Sequence, residues 1–189
     1  MIGLGIWQLQ RAQEKTALLA LYSANLRKPS TGFPVLGPVP DAALYRQSSA
    51  PCLTVTKWRV VGGTSRTGKS GFRHLADCSS GAEGPGFVAD MGVTEDAQFA
   101  SDWRGGLVTG MLADEPVPGG LLTRLLGNSI VPRPMLVSLT PAPGLMVSAA
   151  PDPQNIPNNH LPYAVQWFLF AGAAAVIYVL ALRKRRRGE

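Results

Sequence analysis

The sequence has little of what most catalytic and metal sites are built from. Its 189 residues include 2 cysteines and 2 histidines. Cys52 and Cys78 give no C-x-x-C motif. In an oxidising compartment they pair; otherwise they serve as two small, part-buried apolar side chains, and spacing alone does not choose. Only 16% of the residues are charged, and the carboxylates are scattered (Asp90, Glu95, Asp96, Asp102) with no pair placed for general acid–base work. No Ser/His/Asp or Cys/His set stands out, so the chain reads as a non-enzyme. His74 and Cys78 are spaced i, i+4 and would share a helix face, but two ligands are too few for a copper or zinc site.

What is plentiful is equally restrictive. With 21 glycines and 16 prolines, long helices are disfavoured outside the two ends. The net charge of +6 is concentrated in the tail: Arg183 to Arg187 reads RKRRR, leaving 13 basic and 11 acidic side chains on residues 1–182. A nearly neutral body removes most of the support for a nucleic-acid partner.

One long run carries no charge at all. Tyr163 to Leu182 reads YAVQWFLFAGAAAVIYVLAL, and its 20 residues span about 30 Å as a helix, the thickness of a bilayer's hydrocarbon core. Tyr163 and Trp167 lie near one end and Tyr178 near the other, as interfacial aromatics do. The alternative is a buried core helix; the length, the Ala-rich interior and the flanking cations favour the bilayer. The positive-inside rule then keeps RKRRR cytoplasmic and sends the body to the opposite side. The amino terminus lacks the basic and long apolar regions of a signal peptide. Met1 to Leu9 is apolar except Gln8, with Arg11 and Lys15 beyond. This reads as the end of a truncated first transmembrane helix, and the genomic sequence upstream is expected to continue in frame with roughly 12–18 apolar residues. The expected layout is the end of that helix at 1–9, an extracytoplasmic β-rich domain at 10–159, a transmembrane helix at 163–182 and a basic cytoplasmic tail at 183–189.

Within the body, Leu9, Leu18, Leu21, Tyr22 and Leu26 recur at helical spacing and predict a helix over 9–28, ended by Pro29. Residues 29–51 read as loop. Strands are predicted at 53–61, 85–93, 106–112, 134–141 and 144–150, the last two as an antiparallel hairpin about PAPG. A short helix is predicted at 120–128. No βαβ crossover is evident, so the fold class is α+β, a small antiparallel β domain with terminal membrane helices.

Gly63 to Ser70 spells G-x-x-x-x-G-K-S, the spacing of a phosphate-binding loop. Such a loop needs a helix N-terminus aimed at the phosphates, and Gly71 with the Ser/Gly-rich stretch after Cys78 leaves at most a marginal helix. The stretch reads instead as a turn between antiparallel strands, with no nucleotide.

Two terminal stretches carry a family resemblance. GIWQLQR (Gly5 to Arg11) and PNNHLPYAVQWF (Pro157 to Phe168) resemble the surfeit locus protein one family, the assembly factors of cytochrome c oxidase. The resemblance covers the whole chain, and WRGGLVTG (103–110) resembles a strand of that family. Met91 to Thr94, MGVT, departs from the family's R-G-W-V-P-like strand end. The resemblance implies a bacterial inner-membrane protein, multi-pass in full-length form, with a periplasmic main domain. It also implies partners: the bilayer, oxidase subunit I and haem A synthase. It implies that haem a is held for insertion into subunit I, with His160 as axial ligand. An imidazole just before a membrane span can ligate a haem iron, and otherwise helps cap the helix start. Asn158 and Asn159 are candidates to accept a hydrogen bond from its second nitrogen. Trp167 and Phe168 lie about two turns deeper, where they would flank a porphyrin edge. Trp7 and Gln8 fall at the same membrane face, either lining a cleft or serving as an anchor and a helix–helix hydrogen bond. Two other readings are an assembly scaffold that never touches haem, and a copper or thiol-redox factor carried by Cys52 and Cys78.

Overall fold

A computed structural model describes residues 1–34, 37–81, 86–116 and 132–187. The chain divides into two compact units, Met1–Ala20 with Gln154–Glu189, and Leu21–Pro153. Helix α1 (Ile2–Asn25) begins in the first and ends in the second. Its final turn is fastened by side chains. The Tyr22 hydroxyl donates to Asp41 Oδ1 at 2.6 Å, and buried Asn25 Nδ2 donates to the carbonyls of Asp41 (2.9 Å) and Leu44 (3.0 Å).

The second unit is a six-stranded sheet: β1 (Gln47–Cys52), β2 (Thr54–Thr64), β3 (Ser70–Ser79), β4 (Phe87–Thr94), β5 (Gly106–Asp114) and β6 (Pro134–Ser138). Their order is β1-β5-β6-β4-β3-β2. The first and last strands in that order are consecutive in the chain, separated by Leu53 alone, so the sheet must curl to bring its edges together at that corner. Five strands were expected, and four lie where the hydrophobic pattern puts them. The fifth, 144–150, forms no hairpin with β6. It makes isolated bridges instead, Met146 to Val93 and Ser148 to Ser65, because β6 is already paired on both sides. One of those sides corrects the all-antiparallel expectation: β4 and β6 run parallel.

Two strands were not expected. β1 lies in the stretch read as loop; QSSAPC holds no β-branched residue, and Pro51 is tolerated because β1 is an edge strand. β3 follows the phosphate-loop-like motif directly. Gly63 and Ser70 sit in β2 and β3, and residues 65–69 close the hairpin, with Gly68 at φ +82°. Ser65 organises the turn: its N–H donates to the Lys69 carbonyl (2.8 Å), and its Oγ accepts from the Lys69 N–H (3.2 Å). A strand therefore stands where a phosphate site needs a helix. The predicted helix at 120–128 lies outside the described residues.

Side chains alternate across the sheet. On one face Leu75, Val88, Met135 and Val137 form a core cluster, with Val61 and Ala113 packed against it. The opposite face buries Phe87, Leu112, Leu136 and His74, with Phe33 stacking on Phe87 at 5.0 Å between ring centroids. Cys52 and Cys78 form a disulfide on this second face, Cα–Cα 5.1 Å, fastening the end of β1 to β3. No free cysteine is present. The i, i+4 pair His74 and Cys78 thus lies on a strand rather than a helix, with the sulfur already committed.

Charges on the first face are paired. Arg59 contacts Asp77 (2.8 Å) and Glu115 (2.6 Å), and Arg133 contacts the same two acids at 3.0 and 2.8 Å. Burial raises the Glu115 carboxyl, but hydrogen bonds from Arg133 and Arg59 outweigh it and hold the group below its usual 4.5. Asp90 is fully buried. Its Oδ2 accepts from Arg73 Nε (2.9 Å) and a terminal guanidinium nitrogen (2.6 Å), and its Oδ1 from Ser148 Oγ (2.7 Å) and the Gly92 N–H (3.2 Å). Gly92 sits at φ +133°, and a Cβ there would lie 2.6 Å from the Met146 carbonyl oxygen, so only glycine lets segment 144–148 approach β4. Asp90 is therefore a latch between β4 and that segment.

His74 is 1% exposed, its ring edge-on to Phe99, and its Nε2 has no hydrogen-bond partner. Burial pushes its pKa below the usual 6.5, against smaller opposing contributions from the Asp96 backbone, the Asp96 charge and the Asp90 charge. A depressed pKa gives stability that is present above pH 6.5 and is lost as pH falls through the lower folded value. Urea unfolding of the full chain in detergent, read by tryptophan fluorescence, should show stability falling from pH 7 to 5 in wild type. The fall should be smaller in His74→Gln; equal pH slopes would remove His74 as its source.

Candidate functional site

The candidate residues lie in the unit formed by Met1–Ala20 and Gln154–Glu189. Helix α2 (His160–Arg187) follows a short 3-10 turn, Pro153–Asn155. It is long and apolar enough to cross a membrane, and its most apolar stretch is not buried. That is consistent with a membrane-anchoring helix, since a core helix buries much of its apolar surface. Exposed Leu161, Val165, Leu169, Val176, Ile177 and Leu180 surround it, and Lys184 to Arg187 occupy its last turn.

Contacts between the two ends of the chain run in antiparallel sequence. Gly5 is buried against the Phe168 ring, and a Cβ there would lie 2.7 Å from its Cζ. One turn on, Gln8 Oε1 lies 2.8 Å from His160 Nδ1. Beyond that, Asn158 Nδ2 donates to Thr16 Oγ1 (3.2 Å) and reaches the Ala12 carbonyl at 3.5 Å. Positions 5, 8, 12 and 16 form one stripe of α1, as helical spacing requires.

The His160 contact fixes the imidazole's chemistry. The end of the amide that Gln8 turns to the ring selects the tautomer: with Oε1 facing it, Nδ1 is the donor. In that tautomer Nε2 holds the lone pair, and no hydrogen bond engages it among the described residues. A neutral imidazole with one nitrogen anchored and the other free is the form that ligates a metal. The acceptor expected from Asn158 or Asn159 is supplied by Gln8 instead. Asn158 points its amide at α1, and its Oδ1 is buried without a partner; Asn159 is exposed. Trp7 is 48% exposed, and Trp167 packs edge-on to Phe170 at 6.1 Å. Phe168 is the deeper aromatic that faces α1. Next to His160 opens a cleft of about 400 Å³, lined by Arg11, Glu14, Lys15, Leu18 and His160. Among the described residues no group of three or more His, Cys, Asp or Glu could hold a bare metal ion, so the site offers one imidazole and an open cleft.

The family model of the SURF1 family matches residues 1–172, both terminal stretches and the whole sheet included. The chain belongs to the SURF1 family. SURF1 proteins are associated with cytochrome c oxidase assembly and form a family of assembly factors. No individual curated protein matches the chain closely enough to name as a relative. The residues fit a haem-type group in one specific respect: a single imidazole, held through Nδ1 by Gln8, borders an open cleft. Sequence reasoning offers Gln8 for a helix–helix hydrogen bond without naming His160 as its partner. It passed over Arg11, Glu14, Lys15 and Leu18 as cleft lining, although their i, i+3, i+4, i+7 spacing on one helix face was readable.

Proposed function

We propose that this SURF1-family protein is an inner-membrane assembly factor that holds haem a at His160 and presents it to subunit I of cytochrome c oxidase. The single observation carrying the reading is the Gln8–His160 hydrogen bond, which engages Nδ1 and leaves Nε2 without a hydrogen bond among the described residues. When bound, the group would supply an iron, and the His160 imidazole is the residue that would hold it. The chain's own residues do the rest. Gln8 fixes the imidazole's tautomer and ring plane, Gly5 and Phe168 bring α1 and α2 together below it, and Asn158 ties the segment ahead of α2 to α1. The basic last turn of α2 favours a cytoplasmic carboxyl terminus, hence a periplasmic main domain, in a multi-pass full-length form. Haem A synthase, as the source of the group, and the lipid bilayer complete the expected partners.

The test is purification of the full chain in detergent with haem a. Wild type should show a stoichiometric haem absorption spectrum, and His160→Ala should lose it. Gln8→Leu should retain haem at about 10- to 100-fold weaker affinity, the usual consequence of losing a ligand's second partner. No bound haem in wild type would overturn the reading in favour of a scaffold that acts without haem. A thiol-redox or copper role is not favoured, because both sulfurs are buried in the bridge joining β1 to β3 and out of a partner's reach.

A further inference from the structure

The cleft beside His160 holds cations that axial ligation does not use. Arg11, Glu14, Lys15 and Leu18 form one face of α1 at i, i+3, i+4 and i+7. Glu14 is the only acid lining the cleft, and it is occupied by Arg11 at 2.8 Å. Lys15, half-buried, has no ion-pair partner among the described residues. A surplus positive charge therefore faces the same opening as the imidazole. Polarity is graded along α1. Gly5 against Phe168 is apolar, Gln8 holds His160 one turn on, and Arg11 and Lys15 lie about 5 and 10 Å further along the axis at 1.5 Å per residue.

A haem is polarised in the same sense. Its ring system is apolar, and two propionate carboxylates project from one edge. Seated on His160 with its carboxylate edge toward Phe168, it would bury charge among apolar groups; turned the other way, it meets ammonium and guanidinium donors. We propose that Lys15, with Arg11 beside it, receives the propionate carboxylates and so sets which edge of the porphyrin faces water. This rests on the haem reading above and adds the orientation of the ligand and the residues that determine it. Glu14 moderates the site, since binding must share or displace its contact with Arg11.

The test uses haemin and its dimethyl ester, which keeps the iron and ring but removes both negative charges. Titrations follow the Soret band of the full chain in a non-ionic detergent free of phospholipid, so that headgroup phosphates do not compete. Losing a hydrogen bond to a charged group should raise the haemin Kd about tenfold or more in Lys15→Gln, with the Soret position unchanged because His160 still ligates. Lys15→Arg should restore affinity, and the ester should bind wild type and Lys15→Gln alike. Equal weakening of haemin and ester in Lys15→Gln, or no weakening of either, would overturn the proposal while His160-dependent binding left the haem reading intact. A wild type that binds neither porphyrin would overturn both.

Discussion

Asp90→Ala should destabilise the sheet unit by about 3–5 kcal/mol, because deleting one partner of a buried ion pair strands the other. Asp90 is 0% exposed and Arg73 20%, so solvent screens the pair little. Removing the carboxylate also leaves the Ser148 hydroxyl and the Gly92 N–H without their acceptor. The loss should have a local signature. Segment 144–148 is held by that carboxylate and by the reciprocal backbone bonds of Met146 with Val93, at 2.7 and 2.8 Å. Amide exchange should accelerate first at Met146 and Val93. Urea unfolding of Asp90→Ala, Arg73→Met and the double variant gives the coupling. A double variant more stable than Asp90→Ala alone is expected, since it no longer carries an unpaired guanidinium. If Asp90→Ala unfolds within 1 kcal/mol of wild type, Asp90 is not the latch described here.

The second large effect belongs to the disulfide. Cys52 and Cys78 are separated by 26 residues, and closing a loop of that length in the unfolded chain is worth about 3.5 kcal/mol on the chain-entropy account. Cys52→Ser with Cys78→Ser should lower stability by that order, and reduction of wild type should match it. Both thiols lie on a buried face, at 2% exposure each, so the bridge should resist mild reductant until the sheet opens. A double serine variant as stable as wild type would mean that the fold holds that corner without the bridge. Haem binding should survive in it, because the cleft residues and the bridge belong to different compact units.

Much of the candidate site was legible and part of it was not, for a common reason. His160 stands out because a lone imidazole precedes an uncharged 20-residue run, a local pattern. The partner of its Nδ1 was assigned to neighbouring asparagines, and it is Gln8, 152 residues away. Neither residue's surroundings in the chain identify the other; the pair exists because α1 and α2 run antiparallel with Gly5 against Phe168. The cleft face of α1 was readable as helical spacing, but only its position beside His160 turns Arg11 and Lys15 into more than a solvated charge run.

The sheet divides the same way. β2, β4, β5 and β6 carry β-branched and apolar runs whose periodicity reports a strand before any partner is known. β1 and β3 carry none that is comparable; QSSAPC and SGFRHLADCS become strands because their neighbours supply hydrogen bonds and cover. The phosphate-loop spelling shows the converse. Gly68, Lys69 and Ser70 match a motif whose chemistry needs a helix, and pairing with β4 makes the segment after it a strand.

By itself the sequence determined the membrane-length helix, the turn at Gly68, four of the strands and the lone imidazole at the helix start, since each follows from backbone preference or periodicity within about twenty residues. Only the tertiary structure decided the parallel β4–β6 pair, the Cys52–Cys78 bridge, the Asp90 latch and the Gln8–His160 bond. Each of these joins groups far apart in the chain, and long-range partners are fixed by which surfaces can be buried together, a property no single segment contains.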